Sequence, residues 1–253
     1  MTQHQTERRF GGLDRLYGTS GAQAIRNAHA AVIGIGGVGS WAAEALARSG
    51  IGKLTLIDFD HIVESNINRQ IHATELSLGM EKVLAMKERI ALINPHCVVQ
   101  CVDEFVTPEN WPNILGSQVE AVIDACDQMH AKVAMAAWAM QTKNIFICVG
   151  AAGGKRFAHK VDIDDLSQTT HDPLLSQLRY RLRRNHNAPK DKKKIGVDCV
   201  YSKESVAPAQ SNFQNEFVQD GTLNCSGYGS VVSVTATFGQ CAAGWVIDKI
   251  STL

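Results

Sequence analysis

The residues best suited to chemistry lie between Gly34 and Asp127, and they alternate between exposed backbone and charged side chains. Gly34, Gly36, Gly37 and Gly39 form a Gly-x-Gly-Gly-x-Gly run, where missing side chains let the backbone approach a phosphate at a helix start. Asp58 follows about twenty residues on, where a carboxylate can accept hydrogen bonds from ribose hydroxyls; Asp60 is a second acid just beyond it. The loop carrying Asn66, Asn68, Arg69 and Gln70 brings amides and a guanidinium to the same region, groups that pair with phosphate oxygens. Simple solvent exposure is the alternative for so polar a loop. Lys82 falls in the first turn of a predicted helix, where the dipole disfavours a cation unless an anion partners it; an ordinary surface lysine is the alternative. Asp124 and Asp127 close a further apolar run. A carboxylate there suits Mg²⁺ bridging nucleotide phosphates, and N-capping of the next helix by either acid is the structural alternative.

These residues need elements to hold them, and the pattern supplies those. Ala30 to Ile33 reads as a strand, Val38 to Arg48 as a helix rich in Ala, Glu and Leu, and Leu54 to Asp58 as a second strand. Strand, glycine turn, helix, strand, acid is the order of the nucleotide-binding half of a doubly wound sheet. It does not say which nucleotide. A helix follows to about Leu92, then strands over Cys97–Val102, Glu120–Asp124 and Ile145–Val149, with a helix from about His130 to Thr142. Gly150 to Gly154 is a hinge or a tight turn. The expected fold is a Rossmann-like, doubly wound, mostly parallel α/β sheet with a C-terminal basic, loop-rich lobe and a terminal apolar helix.

The chain has 253 residues, 45% of them hydrophobic, and a formal charge of +0. That suits one domain over 1–253: an N-terminal arm at 7–29, a nucleotide-binding core at 30–160 and a remainder at 161–253. The first residues are polar, with no signal-peptide core, so a cytoplasmic protein is expected. Seven scattered cysteines and no Cys-x-x-Cys pair argue against a disulfide framework or a four-cysteine zinc site. The arm is basic through Arg8, Arg9, Arg15 and Arg26, read either as a solvated surface helix or as an arginine finger reaching a phosphate of this or a neighbouring subunit. Arg179, Arg181, Arg183, Arg184, Lys190, Lys192, Lys193 and Lys194 are opposed only by Asp191, a run that fits either a solvated face or phosphate-backbone binding. Residues 204–224 read as a polar loop. Ser230 to Ile250 is apolar and borders on bilayer-spanning length; a buried core or interface helix is the reading adopted, and contact with a membrane stays open.

Taken together, Gly34 to Gly39, Asp58-Phe-Asp60, Asn66-x-Asn-Arg69-Gln70, Leu78-Gly-x-x-Lys82 and Asp124-x-x-Asp127 resemble the ubiquitin-activating-enzyme-like adenylating superfamily over about the first 150 residues. Further stretches resemble one branch, the bacterial tRNA threonylcarbamoyladenosine dehydratases, over nearly the whole chain: Arg9 to Gly18, Gly36 to Gly50, Asp172-Pro-Leu, Gly196 to Val200 and Val234 to Gly239. The resemblance implies ATP and Mg²⁺ as cofactors, tRNA carrying threonylcarbamoyladenosine as partner, and a homodimer. It implies activation of the threonyl carboxylate as an acyl-adenylate, followed by ring closure within the modified base. Carried onto this chain, Gly34, Gly36, Gly37 and Gly39 bound the nucleotide turn and Asp58 holds the ribose, with Asp60 as its substitute. Asn66, Asn68, Arg69, Gln70 and Lys82 hold the triphosphate, Asp127 holds the metal with Asp124 the weaker candidate, and Arg9 or Arg15 is the finger. Relatives place that finger in an Arg-x-x-Arg-Gln arm, which Gly11 and Gly12 interrupt here. Arg179, Arg181, Arg183, Arg184, Lys192, Lys193 and Lys194 would meet tRNA phosphates. Cys199 and Cys225, near glycine-containing turns, are read as buried small hydrophobes. Three other functions compete: adenylation of a sulfur-carrier C-terminus, an NAD-dependent oxidoreductase, and a non-catalytic partner of a cysteine desulfurase system.

Overall fold

A computed structural model describes residues 3–116, 119–142, 144–191, 193–207 and 228–253; Lys192, Cys225 and most of the 204–224 loop lie outside them. In chain order the elements are α1 (Gln3–Asn27), β1 (His29–Ile33), α2 (Gly39–Arg48), β2 (Lys53–Ile57), α3 (Lys82–Ile93), β3 (Val98–Val102) and β4 (Ala121–Asp124). There follow α4 (Met129–Ala139), β5 (Ile145–Val149), β6 (Val161–Asp165), α5 (Pro173–Asn185), β7 (Asp198–Ser202) and α6 (Val232–Ser251). The strands make one sheet in the order β3-β2-β1-β4-β5-β7-β6, parallel except for β6 against β7. Central strands such as β1 (His-Ala-Ala-Val-Ile) are buried at every position, as a sheet covered on both faces requires. The order turns back between β1 and β4. Crossovers leave the sheet on opposite sides there, which opens a crevice at the strands' carboxyl ends.

Two strands not expected from the sequence lie in the C-terminal third: β7 pairs with β5 in parallel and β6 with β7 in antiparallel fashion, so the described part of this region extends the same sheet. Part of the basic run folds as α5, where Leu174, Leu175, Leu178 and Leu182 recur at helical spacing and are buried. The arm is not merely solvated: α1 buries Phe10, Ala22 and Ile25, with a break at Gly18 (φ 72°). The apolar C-terminal run is a core helix. Val234, Phe238, Ala242, Val246 and Ile250 of α6 repeat every fourth residue and are all buried, and a fully buried Phe238 contributes about 1.5–3 kcal/mol. Among the described residues no helix is long and apolar enough to cross a membrane.

The seam between α2 and α6 depends on small residues. A Cβ at Gly239 would overlap Val38 O and lie 2.8 Å from both Ala42 N and Trp41 Cβ, so α6 runs directly against the helix that starts at the glycine turn. Gly239→Ala is therefore expected to lower stability by about 1–3 kcal/mol through overpacking, read as a fall in the urea midpoint. Gly244→Ala on the exposed side of the same helix, where a Cβ meets nothing within 4 Å, should be neutral or slightly stabilising.

Candidate active site

The crevice at the β1/β4 switch point is a cavity of about 630 Å³. Gly34, Gly36, Gly37, Asp58, Asp60, Asn66, Arg69, Gln70, Lys82 and Asp127, all singled out from the sequence, line it together. Its floor is built by backbone contact. Gly34 has φ 83°, and a Cβ there would lie 2.9 Å from Ala125 O and 3.0 Å from Cys126 N. A Cβ at Gly39 would overlap Gly34 O. Gly39 accordingly packs beneath the turn and does not line the cavity.

Charge is arranged in layers around that turn. Asp58, at the end of β2, accepts from Ile35 N at 2.5 Å and from Asp60 N at 2.9 Å, which ties strand and turn together. Lys82, at the first position of α3, donates to Asp60 Oδ2 at 2.6 Å and stands 4.0 Å from Asp58 Oδ1. These two acids supply the anion that its place at a helix start calls for. Burial pushes the Asp58 carboxyl up, and the Lys82 cation opposes that shift. Burial likewise raises Asp127. Arg69 lies over Gly37, whose Cβ would meet the guanidinium stem at 3.2 Å, and donates to Ser65 O at 2.6 Å and Asn68 Oδ1 at 2.9 Å. Its own carbonyl accepts from the Trp41 indole at 2.9 Å. Asn68 does not itself line the cavity but donates to the carbonyl of Ser230, which does (3.2 Å), while Gln70 is buried with its Oε1 unpartnered at the wall.

Asp124 does not cap a helix. It is fully buried and paired with Lys132 of α4, Nζ to Oδ2 at 2.8 Å, and α4 is capped at Gln128 with no side-chain bond. Burial alone would depress the Lys132 ammonium, but the Asp124 carboxylate outweighs it and holds the group charged. Lys132 also donates to Val149 O at 3.0 Å, so one ammonium joins β4, α4 and the end of β5 beneath the loop bearing Asp127. No local signal marks this pair, because Lys132 stands alone as a cation in a largely apolar helix. Ser65, Phe105 and Thr235 also line the cavity and were missed; Phe105, packed at a 45° tilt against Phe59 with centroids 4.9 Å apart, stood in a stretch without motif. The Gly150–Gly154 segment is held rather than hinged: Asp172, the N-cap of α5, accepts from Leu175 N and Ala151 N, both at 2.9 Å.

Other expected residues lie apart. Arg9 donates to Ile93 O (3.0 Å) at the end of α3, on the opposite edge of the sheet from the cavity, and Arg15 is exposed on α1; neither lines the site within this chain. In the basic run, Arg179 is bound to Leu166 O (2.8 Å) and Thr169 O (3.1 Å), and Arg183 to Pro189 O (3.1 Å). These two are partly structural. Arg184, Lys193 and Lys194 are exposed and Arg181 is half-buried. Cys199 is buried, as expected for a small hydrophobe.

A doubly wound sheet with a glycine turn, a ribose-spaced acid and two cations at its switch point defines a nucleotide-binding protein of the adenylating kind. The chain belongs to the ThiF family, whose model matches residues 11–253. It is similar to the tRNA threonylcarbamoyladenosine dehydratases of Haemophilus influenzae (44% identical over 246 residues, 96% of this chain and 94% of that one) and Escherichia coli (43% over 249 residues, 96% and 93%). Among solved structures it resembles the E. coli enzyme TcdA in complex with ATP, with a TM-score of 0.87 and 42% identity over 97% of this chain and 95% of that one. The AMP complex of TcdA matches with a TM-score of 0.86.

Removing Lys132 tests the buried pair. Lys132→Met, which strands the Asp124 carboxylate, is expected to destabilise the protein by about 3–5 kcal/mol in urea unfolding. Adding Asp124→Leu should recover most of that loss; a single-variant cost below about 1 kcal/mol would place the pair among surface-like bridges.

Proposed function

We propose that the protein is an ATP-dependent dehydratase that closes threonylcarbamoyladenosine in tRNA into its cyclic form through an acyl-adenylate. The carrying observation is the convergence of Asp58, Arg69, Lys82 and Asp127 on one cavity, in a chain that aligns with the H. influenzae dehydratase over 96% of its length. Asp58 binds the ribose, and the amides at Gly36 and Gly37 meet the phosphates at the start of α2. Arg69 and Lys82 neutralise charge that develops as pyrophosphate leaves. A threonyl carboxylate oxygen attacks the α-phosphorus, and the bond to pyrophosphate breaks. A nucleophilic atom of the same modified base then attacks the activated carbonyl carbon, and AMP departs with the former carboxylate oxygen. The nucleoside ends one water lighter. Holding both reacting groups in one residue makes an enzyme thiol unnecessary, and Cys126, the cysteine at the cavity, is raised well above the usual thiol range by burial and by Asp124.

Mg²⁺ fits the same corner. Among the described residues no cluster of three or more His, Cys, Asp or Glu could hold a metal alone, and magnesium is ordinarily held by one or two carboxylates with substrate phosphates completing its shell. Asp127, which lines the cavity, would be the carboxylate that holds it, and the ion would offset the charge of the leaving pyrophosphate. Exposed Arg184, Lys193 and Lys194 support binding of tRNA phosphates. For Arg9 or Arg15 to meet the triphosphate, a second copy of the chain must lend it, which is the role proposed for a homodimer.

Incubation with ATP, Mg²⁺ and tRNA carrying threonylcarbamoyladenosine, then digestion and mass analysis, tests this. Loss of one water that requires ATP, and falls about 10²-fold or more in Arg69→Ala and Asp127→Ala, is expected. An unchanged nucleoside with pyrophosphate exchange stimulated by a Gly-Gly-ended carrier protein would contradict it in favour of sulfur-carrier adenylation.

A further inference from the structure

Just beyond the cavity loop the chain passes outward through Arg156-Phe157-Ala158-His159-Lys160 before entering β6. Phe157 is 46% exposed. Cationic and imidazole groups surround it: Lys160 Nζ stands 5.0 Å from the ring centroid, the His159 ring lies 5.7 Å away, and Arg156 is exposed alongside in sequence. No acid occurs between Gly150 and Lys160, and the first acid of β6, Asp162, is neutralised by Lys203 at 2.5 Å.

The backbone under this ring is fixed by two buried charges. Glu204 accepts from Arg156 N at 3.0 and 3.1 Å and from Phe157 N at 2.9 Å. Lys155, 2% exposed, donates to His171 O at 2.8 Å and to Glu204 O. Lys203 N bonds Lys160 O at 3.0 Å, and Gly154 bonds both Gly229 and Ala207 through the backbone. A solvent-facing phenylalanine gains little from such anchoring unless something is to be laid against it. Lys160 sits over one face of this ring; an exposed aromatic ring with cations close by is the kind of surface on which unpaired nucleobases stack, with the cations meeting the adjacent phosphates. Position agrees: Gly153 lines the cavity, and the four residues from there to Phe157 span at most ~14 Å.

We propose that Phe157, with Arg156, His159 and Lys160, is a stacking platform for an unpaired base of the RNA substrate, next to the nucleotide held in the cavity. This rests on the tRNA reading above and adds to it a contact with a base, beyond the phosphate contacts of α5.

The test titrates wild type, Phe157→Ala and Phe157→Trp with a stem-loop RNA bearing threonylcarbamoyladenosine, with 2-aminopurine on either side of the modified position. A duplex RNA of equal length and ATP alone serve as controls. Phe157→Ala should weaken stem-loop binding roughly tenfold and abolish 2-aminopurine quenching, with duplex and ATP affinities unchanged. Phe157→Trp should restore both binding and quenching, which a loss of fold could not do. Equal stem-loop affinity and quenching in Phe157→Ala would overturn the platform and leave the tRNA reading standing. Unchanged RNA binding with a loss of self-association in sedimentation would overturn it in favour of a protein contact. Wild type without affinity for the stem-loop would remove the tRNA reading and the platform together.

Discussion

At the carboxyl edge of the sheet, backbones pack directly against one another. Gly34 leaves β1 with φ 83° and presses against the Ala125–Cys126 peptide beyond β4, while Gly39 opens α2 against the Gly34 carbonyl. Side chains at these positions would force the segments apart. Because they touch, the amides at the start of α2 face the crevice, and the loop bearing Asp127 is pinned opposite them. Asp58 adds a hydrogen bond from β2 to Ile35 in the same turn. The seam between α2 and α6 and the buried Asp124–Lys132 pair then support this arrangement from below.

The two cations of the cavity are held by its own oxygens. Lys82 stands between Asp58 and Asp60, and Arg69 is held by carbonyl and amide oxygens of its own loop. A nucleotide would bring phosphates to these cations and hydroxyls to these acids, replacing internal pairs with external ones. Preorganised charges of this kind need little rearrangement when negative charge develops. Burial raises the Cys126 and Cys148 thiols well above the usual range, which makes these two poor nucleophiles.

Much of this was legible in the sequence, for a physical reason. A glycine turn between an apolar run and a helix, followed by an acid at the next strand's end, requires local backbone geometry that few other residues permit. Ten of the residues that stand out in this way line one cavity. What was not legible depends on tertiary partners. Lys132 gives no local sign that Asp124 waits for it, and Asp124 therefore looked like a possible cap or ligand. Gly39 and Asn68 carry the right residue types, yet packing turns one beneath the turn and the other towards Ser230. β6 and β7 were overlooked because β6 reads Val-Asp-Ile-Asp-Asp, an edge strand whose outward positions are charged, and charge there is how sheets guard their edges. The cationic run on α5 hid four leucines that place the helix on the core.

The central claim is that the crevice at the β1/β4 switch point seats ATP, with its ribose on Asp58 and its triphosphate between the glycine turn, Arg69 and Lys82. A crystal structure with a non-hydrolysable ATP analogue and Mg²⁺ tests it most directly. The account predicts ribose hydroxyls within hydrogen-bonding distance of Asp58, phosphate oxygens on the amides near Gly36 and Gly37, and the metal on Asp127. Phosphates seated elsewhere on the chain, or an analogue bound in the crevice with Asp58 still paired only to Ile35, Asp60 and Lys82, would contradict it.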